Sequence, residues 1–278
     1  MLAGLVLSAR EGLEAALVIG IVLGALRKLQ RPELAPVVWA GALSAAVISL
    51  ASAILLTSLG AHLEGDAEAI FEGFTMILAA GVLTWMVFWM HRQSSHIKGD
   101  LEAGVHRAML QRGKRGLFFI AFVSVLREGI ELGLFLTAVA LASSDIQTLI
   151  GATLGLFVAA LLGWAMFKAT VRLNLGRFFL ITSAFLILFS AGLVARGVHE
   201  FNEVGWIPPV VEHIWNTGTF VAENSIIGQV GTALLGYNSS PSLTETLAYL
   251  GFLGAVALGL RLSSTRVSPT EKIRPSGG

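Results

Sequence analysis

The sequence predicts an all-α, polytopic membrane protein with seven transmembrane helices, and three observations carry that prediction. Of its 278 residues 55% are hydrophobic and only 13% charged, and the mean hydropathy is +0.76, outside the range of soluble chains. Seven apolar runs, at 2–26, 37–60, 69–91, 117–142, 148–168, 178–200 and 243–262, each approach the ~20 residues that cross a bilayer. The connections between them alternate sharply in lysine and arginine. Arg27, Lys28 and Arg31 follow the first run, a cluster from Arg92 to Arg115 the third, Lys168, Arg172 and Arg177 the fifth, and Arg261, Arg266, Lys272 and Arg274 the seventh. The intervening connections, 61–68, 143–147 and 201–242, hold neither residue. Positive charge stays on the cytoplasmic side, so the N-terminus is expected outside and the C-terminus inside.

The first run has no basic segment before it and continues past its charged residues, so it is expected to be a retained helix and not a cleaved signal. It carries Arg10-Glu11-Gly12-Leu13-Glu14 near its middle. The fourth run carries the same pattern as Arg127-Glu128-Gly129-Ile130-Glu131. One charged residue at the centre of a membrane helix costs roughly 2.5 to 3.5 kcal/mol, so each motif costs about 8 to 10 kcal/mol if nothing compensates it. At 100° per residue the arginine and both glutamates of a motif share one face. The least costly arrangement turns both faces inward, where two facing motifs form a cluster of four carboxylates and two guanidiniums. Its net negative charge and oxygen donors suit a hard or borderline divalent cation. Arg10 and Arg127 are expected to orient and neutralise the carboxylates, since a cation does not bind a guanidinium. Gly12 and Gly129 lie off the charged arc, where they are expected to allow close helix contact.

An internal repeat connects the runs. Besides the paired motifs, Phe74-Thr-Met-Ile-Leu-Ala-Ala-Gly81 in the third run resembles Phe185-Leu-Ile-Leu-Phe-Ser-Ala-Gly192 in the sixth. Runs one to three (1–91) thus match runs four to six (117–200), and because three is odd the two units cross in opposite directions. Inverted repeats of this kind are typical of transporters, with the substrate site at the midplane where the units meet. The remainder is an outer loop, 201–242, a seventh helix at 243–262 that completes a single transmembrane domain over 1–262, and a short cytoplasmic tail at 263–278. The outer side is acidic. Glu72, His199, Glu200 and Glu203 form a candidate site where cations collect before crossing, and the outer loop adds Glu212, His213 and Glu223. The stretch 217–236 is too interrupted by Glu223, Asn224 and glycines to be an eighth span, and Trp39, Trp85, Trp89 and Trp164 read as core or interfacial anchors.

Cysteine is absent, which removes disulfides, thiolate ligands and thiol catalysis. No G-x-S-x-G elbow, H-E-x-x-H zinc motif or phosphate-binding glycine loop is present, so no enzymatic activity is expected. The net charge of +1 says little about partners, and no nucleic-acid partner is expected.

With both motifs in the expected helices, the chain resembles the oxidase-dependent iron permease family, which has fungal high-affinity members and compact bacterial ones. Its hallmark R-E-G-x-E motif in the first and fourth of seven membrane helices is matched at Arg10, Glu11, Gly12 and Glu14 and at Arg127, Glu128, Gly129 and Glu131. The stretches His199 to Pro208 and Gly236 to Ser242 also look familial. The resemblance implies a permease of the bacterial inner membrane that imports iron, as Fe2+ or Fe3+, past Glu11, Glu14, Glu128 and Glu131. Iron is then the transported substrate and no tightly bound cofactor is expected. Partners implied are iron ions, the lipid bilayer and a separate extracytoplasmic oxidase or iron-binding protein. Two other readings stay open: a permease for manganese, lead or another divalent metal, because carboxylates alone do not select iron, or a membrane anchor that recruits such an oxidase.

Overall fold

A computed structural model describes the chain except for residues 94–96, 143–144, 168–174, 212–213, 215–227, 229–230, 232–236 and 266–278. The described residues are helical, with no strand among them. The outer-loop residues Glu212, His213, Trp215 and Glu223, most of the stretch 217–236, and the tail beyond Thr265 lie outside them.

Helix α1 spans Leu2–Lys28, and its basic last turn, Arg27 and Lys28, complements the carbonyl end of the helix. A 3₁₀ turn at Pro32–Leu34 leads into α2, Ala35–Gly60, whose Pro36 sits in the first turn where no backbone donor is needed. Gly65, with φ of 61°, turns the chain into α3, Asp66–Gln93, which begins with the acidic residues Asp66 and Glu68. Helix α4 covers Ile97–Ala142 but is broken at Gly113, where φ is 54° and ψ is −132°. The connection expected between the third and fourth spans is thus itself largely helical. It buries Val105 in one cluster with Val22, Leu26 and Val38.

Helices α5, Asp145–Phe167, and α6, Leu175–Glu203, follow. At the end of α6 Gly205 takes φ of 72°, and the Trp206 and Ile207 amides donate to the Phe201 carbonyl, closing the helix. Helix α7 spans Leu243–Thr265 and so runs past the expected boundary at 262. Its start is a reciprocal cap: the Ser242 amide donates to Glu245 Oε1 (3.2 Å) and the Glu245 amide to Ser242 Oγ (3.2 Å).

The most extensive packing is of α1 on α5 and of α2 on α4, followed by α3 on α6, α1 on α4 and α6 on α7. Small residues allow it. A Cβ at Gly41 of α2 would overlap the Phe118 carbonyl of α4, and one at Gly151 of α5 would overlap the Met1 carbonyl at the start of α1. One apolar core joins Leu7 of α1, Met76 and Leu83 of α3, Phe135 and Ala138 of α4 and Leu186 of α6. The outward faces of α2 and α5 are largely apolar, with Leu43, Leu50, Ile54, Leu149, Phe157 and Trp164 all exposed. Such faces are stable only against lipid.

Among the described residues, five helical segments are long and apolar enough to cross a membrane: Pro32–Gly60, Asp66–Met90, Ile146–Phe167, Gly176–Glu203 and Leu243–Leu262. The first helix and the second half of α4 fall short of that measure because their motifs interrupt the apolar stretch with an arginine and two glutamates.

Candidate metal centre

Both R-E-G-x-E motifs lie in unbroken helix, on α1 and on α4, and these two helices pack against each other. Helical spacing puts each arginine one turn before its second glutamate. In α4 the Arg127 Nε donates to Glu131 Oε1 at 2.8 Å. In α1 the Arg10 guanidinium lies 3.3 Å from Glu14 and 3.9 Å from Glu11. The backbone between the charged side chains faces a neighbouring helix. A Cβ at Gly12 would come within 2.8 Å of Ala159 Cβ on α5, and one at Gly129 would overlap the Ser49 side chain on α2.

Glu11, Glu128 and Glu131 each bring a carboxylate oxygen within 4.8 Å of the other two. All are buried, Glu11 at 1% exposure and Glu128 and Glu131 at 8% each. Both oxygens of Glu11, and one each of Glu128 and Glu131, have no hydrogen-bond donor among the described residues. Unpaired carboxylate oxygens in a buried site repel one another and cost several kcal/mol each, a cost that a bound cation or a proton relieves. Three convergent carboxylates from two helices can coordinate a hard or borderline divalent metal as oxygen ligands. Glu14, the fourth glutamate, stands beside Arg10 and lines a cavity adjoining the cluster.

That cavity, of about 1270 Å³, runs from Glu14, Arg127 and Glu128 along α1 to Arg27 and Lys28. The two arginines differ in consequence. Arg10 is fully enclosed, whereas the Arg127 side chain is 34% exposed and its guanidinium lies 4.5 Å from the Trp89 ring centre and 5.7 Å from that of Trp85. The sequence reading treated these tryptophans only as anchors. Their spacing of one helical turn on α3 was the signal that both face the same partner.

On the other side, Glu72, Glu200 and Glu203 come together with Asp66 and Glu68 around a pocket of about 410 Å³ between α3 and α6. His199 does not line it. Its Nδ1 lies 3.0 Å from Glu245 and its Nε2 3.4 Å from Glu203, so it joins α6 to α7. Glu245, which also accepts from Asn238 Nδ2 at 2.9 Å, was missed by the sequence reading. The S-x-x-E pattern of Ser242 to Glu245 at the start of the last apolar run was the available signal.

A multi-helix membrane protein with a buried carboxylate centre and no thiolate is a metal permease by class. The chain belongs to the iron permease FTR1 family, which it matches over residues 1–267. It is 35% identical over 247 residues to the ferrous iron permease EfeU of Escherichia coli O6:K15:H31, covering 88% of this chain and 89% of that protein. The EfeU proteins of Shigella sonnei, with the same identity and coverage, and of Yersinia pestis, at 33% over 88% of this chain and 87% of theirs, are similar. No solved structure matches the chain. The family resemblance read from the two motifs is therefore correct, and the chain is a multi-pass protein of the bacterial inner membrane.

Proposed function

We propose that this permease imports iron, carried in the ferrous form as the names of its relatives state, through a midplane site formed by Glu11, Glu128 and Glu131. Glu14 is the next carboxylate on the way inward. One observation carries the reading: three buried carboxylates from two sequence-related helices converge within 4.8 Å, with oxygens that accept no hydrogen bond among the described residues. Arg10 and Arg127 hold the glutamates in position and limit the negative charge, and Gly12 and Gly129 let α1 and α4 approach α5 and α2. Metal collects at the outer pocket of Glu72, Glu200 and Glu203, with His199 at its edge, and leaves through the cavity that ends at Arg27 and Lys28. The inside-negative potential assists a cation in that direction, by roughly 2.3 kcal/mol per charge per 100 mV.

In this reading α1 and the second half of α4 also cross the membrane, which makes seven spans with the N-terminus outside and the C-terminus in the cytoplasm. The two units, 1–91 and 117–200, form an inverted repeat, joined by the outer loop 201–242 to the seventh helix and the tail from 263. Matching contacts support the repeat. When Arg10 is aligned with Arg127, Met1 and Leu5 align with Phe118 and Phe122. Gly151 lies against Met1 and Leu5, and Gly41 against Phe118 and Phe122. Likewise Gly12 meets Ala159 where Gly129 meets Ser49, and Gly163 meets Ala16 where Gly133 meets Ala53.

The test is uptake of radioactive ferrous iron, kept reduced with ascorbate, into proteoliposomes holding the purified protein. Wild-type uptake that is lost in Glu11→Gln and Glu131→Gln supports the site. Uptake that survives in both variants overturns it, and wild-type protein that carries manganese or no metal at all overturns the assignment of iron.

A further inference from the structure

The two halves of the proposed repeat differ in one respect: the inner half is open and the outer half is packed. Aligning the repeats by their motifs and by the Phe74 and Phe185 stretches pairs four residues of the outer core with residues of the inner cavity. Leu7, Met76, Phe135 and Ala138 belong to one core cluster and are each at most 1% exposed. Their repeat counterparts are Ser124, Ile187, Val18 and Ile21, and all four line the inner cavity.

The pockets correspond as well. Gly65, Glu68, Ala69 and Glu72 line the outer pocket on α3, and Glu200 lines it on α6. Their counterparts, Gly176, Phe179, Leu180 and Ser183 on α6 and Trp89 on α3, all line the inner cavity. The outer pocket occupies, in the opposite half, the position of the wide end of the inner cavity, but it stops where the packed core begins.

We infer that the structure is the inward-open member of a pair of conformations, and that the outward-open member arises when the two repeats exchange packing, drawing Leu7, Met76, Phe135 and Ala138 apart. This rests on the inverted-repeat reading above. The closed outer core and the open inner cavity are then the same contact surface in its two arrangements, which is how repeats of opposite orientation give alternating access without moving the site. In the outward member Arg10, Glu11 and Glu131 line the open side, as Arg127, Glu128 and Glu14 do here. The exchange also alters the chemistry at the mouth. Positions occupied inside by Phe179, Ser183 and Trp89 are occupied outside by Glu68, Glu72 and Glu200, so at these positions the cation meets carboxylates on arrival and uncharged groups on departure.

The chain has no cysteine, so single cysteines report accessibility without background. Thr137→Cys and Ala138→Cys are small changes at buried outer positions, and Ile21→Cys is the inner counterpart of Ala138→Cys. A membrane-impermeant maleimide is applied separately from each face of oriented proteoliposomes. A monodisperse size-exclusion profile in detergent establishes that each variant is folded, and labelling of Ile21→Cys from the inner face alone that the inner cavity is open. Labelling of Thr137→Cys and Ala138→Cys from the outer face is the expected result. In the double variant Ile21→Cys, Ala138→Cys, blocking the outer cysteine with a bulky maleimide wedges that side open, and inner labelling then falls about ten-fold. If both outer positions stay unreactive while Ile21→Cys reacts and iron uptake continues, the exchange is wrong and the permease reading survives. If the reciprocal labelling holds but no iron is carried, the exchange stands and the cargo is wrong.

Discussion

The two R-E-G-x-E motifs are nearly identical in sequence and unlike in surroundings. On α1 the arginine is sealed in protein and its contacts with Glu14 and Glu11 are 3.3 and 3.9 Å. On α4 the arginine is a third exposed, bonds Glu131 at 2.8 Å and lies over two tryptophans at the edge of a cavity. A five-residue pattern thus specifies which charges share a helical face, while the neighbouring helices decide which charge water reaches. Identical motifs in unequal environments are what a protein trapped in one of two exchangeable states should display.

The comparison breaks first at the carboxylates. Glu128→Gln removes a carboxylate oxygen from the cluster, and under the proposed function ferrous uptake is expected to fall by about two orders of magnitude at unchanged protein level. Glu14→Gln is expected to reduce uptake less at saturating iron, because Glu14 lies beside the cluster and not within it; equal loss in the two variants would make all four glutamates equivalent.

Next in size is the difference between the arginines. Arg10→Gln leaves buried carboxylates without their cation and is expected to cost about 3 to 5 kcal/mol, read as a lowered unfolding temperature in detergent. Arg127→Gln should cost clearly less, because cavity water already reaches Arg127. Equal shifts would show that the difference in burial carries no energetic weight.

The glycines come third. Gly129→Ala drives a methyl into Ser49 and should destabilise by about 1 to 3 kcal/mol, with recovery in the double variant Gly129→Ala, Ser49→Gly. Gly12→Ala should respond in the same way only to Ala159→Gly. Smallest is Trp89→Leu, which removes the ring facing Arg127 and should cost about 1 kcal/mol. A matching rise in uptake KM would show that the tryptophan positions the arginine for transport.

Much of this molecule was legible before any coordinates. Apolar runs near twenty residues long have few stable alternatives to membrane helices, and Arg10, Glu14, Arg127 and Glu131 were bound to share faces because a helix turn spaces them so. The helical arm before Gly113 was not legible, since its many basic residues read as a solvated connection although the arm buries Val105. Nor was the role of His199. It stands in the sequence among several outer acids, whereas the structure sets its Nδ1 3.0 Å from Glu245, which comes from a helix far along the chain, and its Nε2 3.4 Å from the pocket residue Glu203.

The sequence alone determined the class, the family and the set of charged residues that must be hidden from lipid, because hydropathy, helical period and motif are local properties of the chain. Tertiary structure alone decided that Glu11, Glu128 and Glu131 converge while Glu14 stands apart, that Arg127 meets two tryptophans, and that one side is open while the other is packed. These depend on how α1 and α4 cross and on which neighbours cover them. No one-dimensional pattern records such distances between helices.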